Sequence, residues 1–455
     1  MRIVIVGDGK VGYYLTQRLT SENHDVVVID SNPDVLRESL EKFDVMVVNG
    51  NGASLQIQKK AGVAESDLLI AATSSDEINM LCCVLARKLG CPHTIARVCN
   101  SEYTEQLRFM RTELGLSMTV NPYATAAREI FGLLQFPSFI KRDTFAKGRV
   151  ELVEIKLSQD SRLVNTRIDR LEDVLHMKVL VCSVERGSEV FIPKGPFVFE
   201  AGDNITVTAP RSDLARLIKK LDLSKQKIKS VMIVGAGRIA YFLTEELLKS
   251  GVEVKVIEQR MERCNEFAEK FSDAIIICGD GSRQDLLLEE GIEDADAVIT
   301  LTNIDEENIM ISLFAESLKY PKTVTKIDRT EYNHLLSDKG LGSMVCPKQL
   351  TADAIIRYVR AMEGSMGGSV LTLHRMVDGK IEALEFIAAA ATLYLGRPLK
   401  ELPLKKDILI ACISHEGQVI IPQGNDCISE GDTVVVITPS DKRIGDLNDI
   451  FEEML

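Results

Sequence analysis

The chain repeats itself, and that duplication constrains its fold more than any single motif. Val4 to Val11 (VIVGDGKV) reappear as Met232 to Ile239 (MIVGAGRI), an offset of 228 from Val4 to Met232. Asp30, closing VVVID, keeps that offset to Glu258, closing VKVIE. One residue then slips in a loop: NGNGAS from Asn49 faces CGDGSR from Cys278, and SDLLIAAT from Ser66 faces ADAVITLT from Ala295. The register continues through Asp76–Asn79 against Asp305–Asn308 and TIARV from Thr94 against TVTKI from Thr323. It extends to FIPKG from Phe191 against IIPQG from Ile420, and to AGDNITVTAP from Ala201 against EGDTVVVITP from Glu430. A repeat this long is a duplicated architecture, not a shared motif.

Each repeat changes texture midway. Up to about residue 135, short β-branched runs (RIVIVG, DVVVID, DVMVVN, DLLIAAT, HTIARV) alternate with helix-like segments such as Val11–Ser21 and Asn79–Leu89. That alternation predicts βαβ units and a doubly wound parallel sheet. From about 145 to 225 come strands separated by turn signals (ELVEIKL, KVLVCSV, SEVFIP, DNITVTA) and a last helix, SDLARLIKKL. The expected fold is therefore α/β: two tandem Rossmann-like domains, at 1–135 and 229–362, each followed by a small α+β C-lobe, at 145–225 and 369–455. The stretch from Leu223 to Ser230 reads as a polar linker between repeats, and the glycine-rich Glu363 to Gly368 as a hinge before the last lobe.

Gly7, Gly9 and Gly12 form G-x-G-x-x-G directly after a strand and at a helix start, the context a dinucleotide fingerprint requires. Gly7 permits the tight turn, Gly9 lets a pyrophosphate approach the backbone, and Gly12 lets helix and strand pack closely. The phosphates would sit at the positive helix N-terminus. Asp30, 18 residues beyond Gly12, ends the next strand where a carboxylate can accept from ribose hydroxyls. The second repeat offers Gly235, Gly237 and Glu258, with Ala240 for the third glycine. Lys10 and Arg238 follow the second glycine, and a cation at the positive end of a helix favours an anion nearby. Asn51 and Asp280, each between glycines, stand either beside a nucleotide base or as turn formers. Asp8, Val11, Gly52, Thr73, Asn79 and Arg97, with Ile239, Gly281, Thr302 and Lys326, complete the candidate cofactor-binding set.

Other chemistries lack their residues. The six histidines (24, 93, 176, 334, 374, 415) have no histidine counterpart in the other repeat, and no duplicated acid–base or metal-ligand pattern accompanies the glycines. No catalytic or metal residue is assigned. The ten cysteines contain no C-x-x-C pair and are expected to be reduced, buried small hydrophobes. A net charge of −13 argues against a nucleic-acid binder. The weakly polar run Phe386–Leu395 is too short to cross a bilayer, and the N-terminus lacks a secretory h-region, so a cytoplasmic location is expected.

The glycine turns, the NGNGAS and CGDGSR loops and the paired IPKG/AGD and IPQG/EGD blocks resemble the NAD-binding regulatory subunits of Trk-type potassium uptake systems, built from two tandem RCK (KTN) modules. The resemblance covers essentially the whole chain. It implies a non-catalytic protein that binds NAD(H), with ATP or ADP as further ligands, peripheral on the inner face of the plasma membrane. Its implied partners are a TrkH-like membrane-embedded potassium transporter subunit and further copies of itself, four chains forming an eight-module ring. It matches Gly7, Gly9, Gly12, Gly235 and Gly237 to the nucleotide-binding turns, Asp30 and Glu258 to the ribose acids, Asn51 and Asp280 to the adenine-proximal loop, and Lys10 and Arg238 to the phosphate-contacting position. An NAD-dependent oxidoreductase and a nucleotide-sensing gate of a different membrane transporter remain alternatives.

Overall fold

The computed structural model describes residues 1–452 except 112, 136–138, 146–149, 188, 194, 222–227, 319–321, 330–342, 366–369, 377–379, 416–417 and 443. In the first repeat, β1 (Arg2–Val6), β2 (Asp25–Asp30), β3 (Met46–Asn49), β4 (Leu68–Ala71), β5 (His93–Arg97) and β6 (Met118–Val120) form a parallel sheet in the order β3-β2-β1-β4-β5-β6. Around it lie α1 (Lys10–Ser21), α2 (Pro33–Lys42), α3 (Leu55–Lys60), α4 (Asp76–Leu89), α5 (Ser101–Met110) and α6 (Pro122–Gln135). The central strands are buried on both faces, which is why RIVIV and LLIA read as continuous apolar runs without alternation. The order reverses between β1 and β4, opening a crevice at their carboxyl ends where ligands of such sheets bind. The sixth strand and several helices go beyond the five strands read from the sequence.

The first lobe carries β7 (Phe139–Phe145), β8 (Val150–Lys156), β9 (Leu180–Arg186), β10 (Glu189–Phe191) and β11 (Asn204–Pro210) in an antiparallel sheet, with α7 (Leu171–Leu175) and α8 (Arg211–Lys220). The second repeat follows suit. Its parallel sheet runs β14-β13-β12-β15-β16-β17, from β12 (Ser230–Val234), β13 (Glu253–Glu258), β14 (Ile275–Cys278), β15 (Ala297–Thr300), β16 (Lys322–Lys326) and β17 (Ser343–Val345). Its helices are α9 (Arg238–Lys249), α10 (Met261–Lys270), α11 (Gln284–Glu289), α12 (Asp305–Ser317) and α13 (Pro347–Ser365). The last lobe holds β18 (Val370–Met376), β19 (Ile381–Ile387), β20 (Leu409–His415), β21 (Gln418–Ile420) and β22 (Thr433–Pro439), ordered β18-β19-β22-β20-β21.

The repeats exchange helices. On α6, Ala126, Ile130, Leu133 and Leu134 enter a core with Val231, Ile233, Ala240 and Leu243 of the other repeat. Reciprocally, Ala352, Ile355, Ile356 and Val359 of α13 pack with Ile3, Ile5, Leu15 and Leu19. The buried Arg360 seals this contact, its Nε donating to Glu22 Oε2 at 3.0 Å. The lobes also share a core, with Leu152 and Cys182 meeting Ala383, Cys412 and Val435. Shared cores of this kind fix the mutual placement of the two nucleotide-type sheets.

Three expectations need correction. Glu363, Gly364 and Ser365, expected as hinge, complete α13, because the preceding helix is already held by its apolar face; residues 366–368 lie outside the described residues. Most of the linker, 222–227, likewise lies outside them, and Ser230 begins β12. Cys278 and Cys427 are exposed and Cys346 is half-buried rather than buried, since the first ends a strand at the sheet's open edge, the second lies in a surface loop of the last lobe and the third lies in the turn between β17 and α13. No helix among the described residues is long and apolar enough to cross a membrane.

Candidate functional site

Each nucleotide-type sheet presents a glycine turn built for close approach. Gly7 takes φ +95°, and a Cβ there would come within 2.8 Å of the Thr73 backbone nitrogen. A Cβ on Gly12 would stand 1.8 Å from the Gly7 carbonyl oxygen, so α1 seats directly on the turn. Gly9 differs in kind: a Cβ there would meet nothing described within 4 Å. It is the N-cap of α1 and has no side chain to satisfy the first amides, and the first turn carries no acid. The result is an open cradle of helix N–H groups, suited to a phosphate. Gly235 (φ +102°) and Gly237 repeat the arrangement before α9, again with no acid in the first turn.

The strand-end acids stand beside these turns. Asp30 Oδ2 accepts from the Asp8 amide at 2.7 Å and Oδ1 from the Asn32 amide at 2.8 Å. In the second repeat Glu258 Oε2 accepts from the Ala236 amide at 3.0 Å and Oε1 from the Arg260 amide at 2.9 Å. Backbone donors thus fix both carboxylates, and both Asp30 oxygens and Glu258 Oε2 keep a lone pair for a hydroxyl. Arg260 Nε also lies 3.3 Å from Glu258 Oε1, a cation with no counterpart at Asp30, where the equivalent position is Asn32.

Behind the edge, Thr73, Asn79 and Arg97 form one network. Asn79 is fully buried; its Oδ1 accepts from the Thr73 amide at 2.8 Å and its Nδ2 donates to the Arg97 carbonyl at 2.9 Å. Arg97 Nη1 donates to the Thr73 carbonyl at 2.8 Å. Asn308 does the same for Thr302 and Lys326, whose Nζ donates to the Thr302 carbonyl at 3.1 Å. Asn308 was not singled out from the sequence, although the repeat register pairs it with Asn79. Asn51 and Asp280 each cap their own loop: Asn51 Oδ1 accepts from the Ala53 amide at 2.9 Å, and Asp280 Oδ1 from the Ser282 hydroxyl at 2.7 Å. The Ser282 hydroxyl, with the Ser282 amide, holds the Asp280 carboxyl below the usual range. Gly52 and Gly281 bring the loops against β1 and β12, where a Cβ would reach Val6 Cγ1 at 2.1 Å and Val234 Cγ1 at 2.4 Å. Val11 and Ile239 open the helices, Val11 against the α1–α13 core and Ile239 within the α6–α9 core.

Lys10 and Arg238 reach across to the opposite repeat. Lys10 Nζ lies 3.9 Å from Asp328 Oδ2, and the Arg238 guanidinium stacks over Tyr123 at 5.2 Å. Between the repeats runs a cleft of about 540 Å³, lined among others by Ser75, Glu77, Asn100 and Tyr103 from one side and by Arg238 and Arg263 from the other. Arg263, which no sequence pattern flagged, donates from Nη2 to the Ala236 carbonyl at 3.1 Å.

Two Rossmann-type sheets with glycine turns, each joined to a small antiparallel lobe, define a tandem nucleotide-fold protein of the TrkA-N and TrkA-C type. The TrkA-N domain matches residues 3–122 and 231–347, and the TrkA-C domain residues 152–222 and 384–451. The chain belongs to the TrkA family of Trk system potassium uptake proteins. It is 32% identical over 448 residues to the Trk system potassium uptake protein TrkA homolog 2 of Methanosarcina mazei, spanning 97% of this chain and 98% of that relative. The Archaeoglobus fulgidus homolog is 32% identical over 99% of this chain and 100% of its own length, and TrkA of Haemophilus influenzae 31% over 99% of each. Among solved structures, the GsuK channel bound to NAD superposes with a TM-score of 0.63 at 20% identity, covering 97% of this chain and 77% of that one. The GsuK RCK domain gives 0.62 at 19%, covering 97% and 92%. These likenesses establish the RCK fold.

Proposed function

We propose that the chain is a non-catalytic regulatory subunit of a potassium uptake system, and that each glycine turn binds one NAD(H), with ATP or ADP as competing ligands. The observation that carries this reading is the uncapped, acid-free helix N-terminus beside a carboxylate held by backbone amides, present in both repeats. The α1 and α9 amides bind the pyrophosphate; Asp30 and Glu258 orient an adenosine ribose; the Asn51 and Asp280 loops close over the base. Arg97 and Lys326 add positive charge at the far side of the crevice, and Lys10 and Arg238 couple each site to the opposite repeat. Such a nucleotide supplies binding energy that differs between module arrangements, and a differential of this kind shifts a conformational equilibrium. The potassium-uptake relatives, and the GsuK structures bound to NAD and to ADP, support a nucleotide-responsive partner of a membrane potassium transporter.

Assembly follows the same logic. Two similar modules in one chain generate a ring when copies repeat by rotation. Leu81 and Met310, at equivalent places on α4 and α12, are 47% and 64% exposed, apolar surface suited to further copies. The test is potassium flux through a TrkH-like subunit in vesicles with this protein added on the outside. NADH, NAD, ATP or ADP should change the flux, while NADH absorbance stays constant against a panel of carbonyl substrates. Steady NADH oxidation would favour the oxidoreductase alternative, and flux indifferent to every nucleotide would remove the regulatory one.

A further inference from the structure

The second nucleotide site carries a thiol pair that the first lacks. Cys264 lies in the first turn of α10, buried, and Cys278 is the exposed last residue of β14, paired in register with Glu258. The register sets Cys278 opposite Glu258, whose carbonyl the Cys264 thiol meets, so both thiols stand at the end of β13. Cys264 Sγ donates to the carbonyl of the acid itself, Glu258, at 3.3 Å, and Cys278 Sγ to that of the next residue, Gln259, at 3.8 Å. At the equivalent positions the first repeat has Leu36 and Asn49, so this chemistry belongs to one site of the two.

We propose that Cys264 and Cys278 are a redox-responsive pair, joined as a disulfide beside Glu258 by hydrogen peroxide and reopened by thiol–disulfide exchange with a dithiol reductant. The accessible Cys278 sulfur attacks the peroxide; the O–O bond breaks, Cys278 becomes a sulfenic acid and one water leaves. Cys264 then attacks that sulfur, the S–O bond breaks, and its proton departs with the oxygen as a second water. The peroxide is reduced by two electrons and the two thiols are oxidised to one disulfide. Burial, and then the neighbouring Cys278 thiol, push the Cys264 thiol up to about 11, which makes Cys264 the resolving partner rather than the first to react.

The consequence for ligand binding rests on the nucleotide reading above. A disulfide draws the end of β14 toward α10, and the Gly279–Gly281 loop follows into the space beside Glu258. Oxidation therefore weakens nucleotide binding at the second site, and by reciprocity bound nucleotide slows bridge formation.

Full-length protein is treated with hydrogen peroxide, its free thiols are blocked with iodoacetamide, and unreduced peptides are mapped by mass spectrometry. The expected product is a peptide pair joined through Cys264 and Cys278, lighter by two hydrogens and separated by dithiothreitol. It should be absent in Cys278→Ser, a surface change that leaves the fold intact, while Cys427, exposed in the last lobe, controls for indiscriminate oxidation. Recovery of both cysteines as alkylated monomers, or of Cys278 as sulfinic acid without a bridge, overturns the proposal. In parallel, NADH titration of oxidised protein should show the Glu258 site weakened about fivefold or more, the lower end of ordinary site–site coupling. A mapped bridge with unchanged NADH affinity overturns the coupling. Reduced protein that binds no NADH at that site overturns the nucleotide reading alone, and the peptide map still decides the bridge.

Discussion

The Ser39 hydroxyl donates a 2.6 Å hydrogen bond to Asp8 Oδ2 beneath the first glycine turn, and the other Asp8 oxygen is buried with no partner among the described residues. Burial pushes the Asp8 carboxyl up to about 6; the Ser39 bond opposes the rise, and the nearby Asp30 charge adds to it. The second turn has Ala236 at this position, so the two cradles differ by one titratable group.

That difference sets a pH dependence. The folded state holds a proton on Asp8 that the unfolded chain releases near 3.8, so the native state binds more protons between about 4 and 6. The associated stability is present below that window and is lost as pH rises through it. Asp8→Asn, which cannot ionise, should raise stability by about 1–2 kcal/mol at neutral pH, within the limit that such a shift sets, and the gain should vanish in acid. Thermal denaturation across pH checks this. NADH affinity at the first site should also fall as pH climbs past about 6, because a charged Asp8 repels the phosphates, while the second site stays level.

The two glycines of the turn should separate folding from binding. Gly9 has φ −72° and open space, so Gly9→Ala should fold normally yet lose nucleotide at the first site, its methyl occupying the phosphate's approach. Gly12→Ala forces α1 off the Gly7 carbonyl and should cost about 2 kcal/mol or more in stability. Circular-dichroism melts alongside NADH titration distinguish the outcomes.

Much of this was legible in the chain because both turns require glycine for steric reasons, and because an acid at a strand end is fixed in register by the strand itself. The duplication made the strand order of one sheet predict that of the other. What could not be read was which surface each helix covers. The apolar stripe of α6 (Ala126, Ile130, Leu133) shows that it is buried, but not that its partner is Leu243 of the other repeat. For the same reason the targets of Lys10 and Arg238, Asp328 and Tyr123, were invisible: local patterning carries no information on contacts made across a duplicated core. Short edge strands such as Met118–Val120 also lack the length that makes a β-branched run stand out.

The helix exchange yields its own test. Arg360 and Glu22 form a largely buried ion pair between α13 and the end of α1, so Arg360→Ala leaves a carboxylate without its cation and should destabilise the chain by about 3 kcal/mol. Arg360→Lys should recover only part of that loss, because one ammonium cannot replace two guanidinium donors. Urea denaturation of the three proteins measures both.

Self-association is expected at micromolar concentration. Leu81→Asp and Met310→Asp place charge on the equivalent exposed faces of α4 and α12 and should shift the mass by light scattering toward smaller species without lowering thermal stability. A wild type that is a stable monomer would contradict the ring.

The account depends most on two nucleotide sites per chain governed by Asp30 and Glu258, and calorimetric titration of the reduced protein measures them directly. NADH should bind two sites per chain; Asp30→Ala and Glu258→Ala should each weaken one and spare the other. NADPH, whose 2′-phosphate meets a carboxylate, should bind about tenfold or more weaker at the Asp30 site, with less discrimination at Glu258, where Arg260 lies 3.3 Å from the carboxylate. No NADH binding, or two sites unchanged by both substitutions, would contradict the central claim.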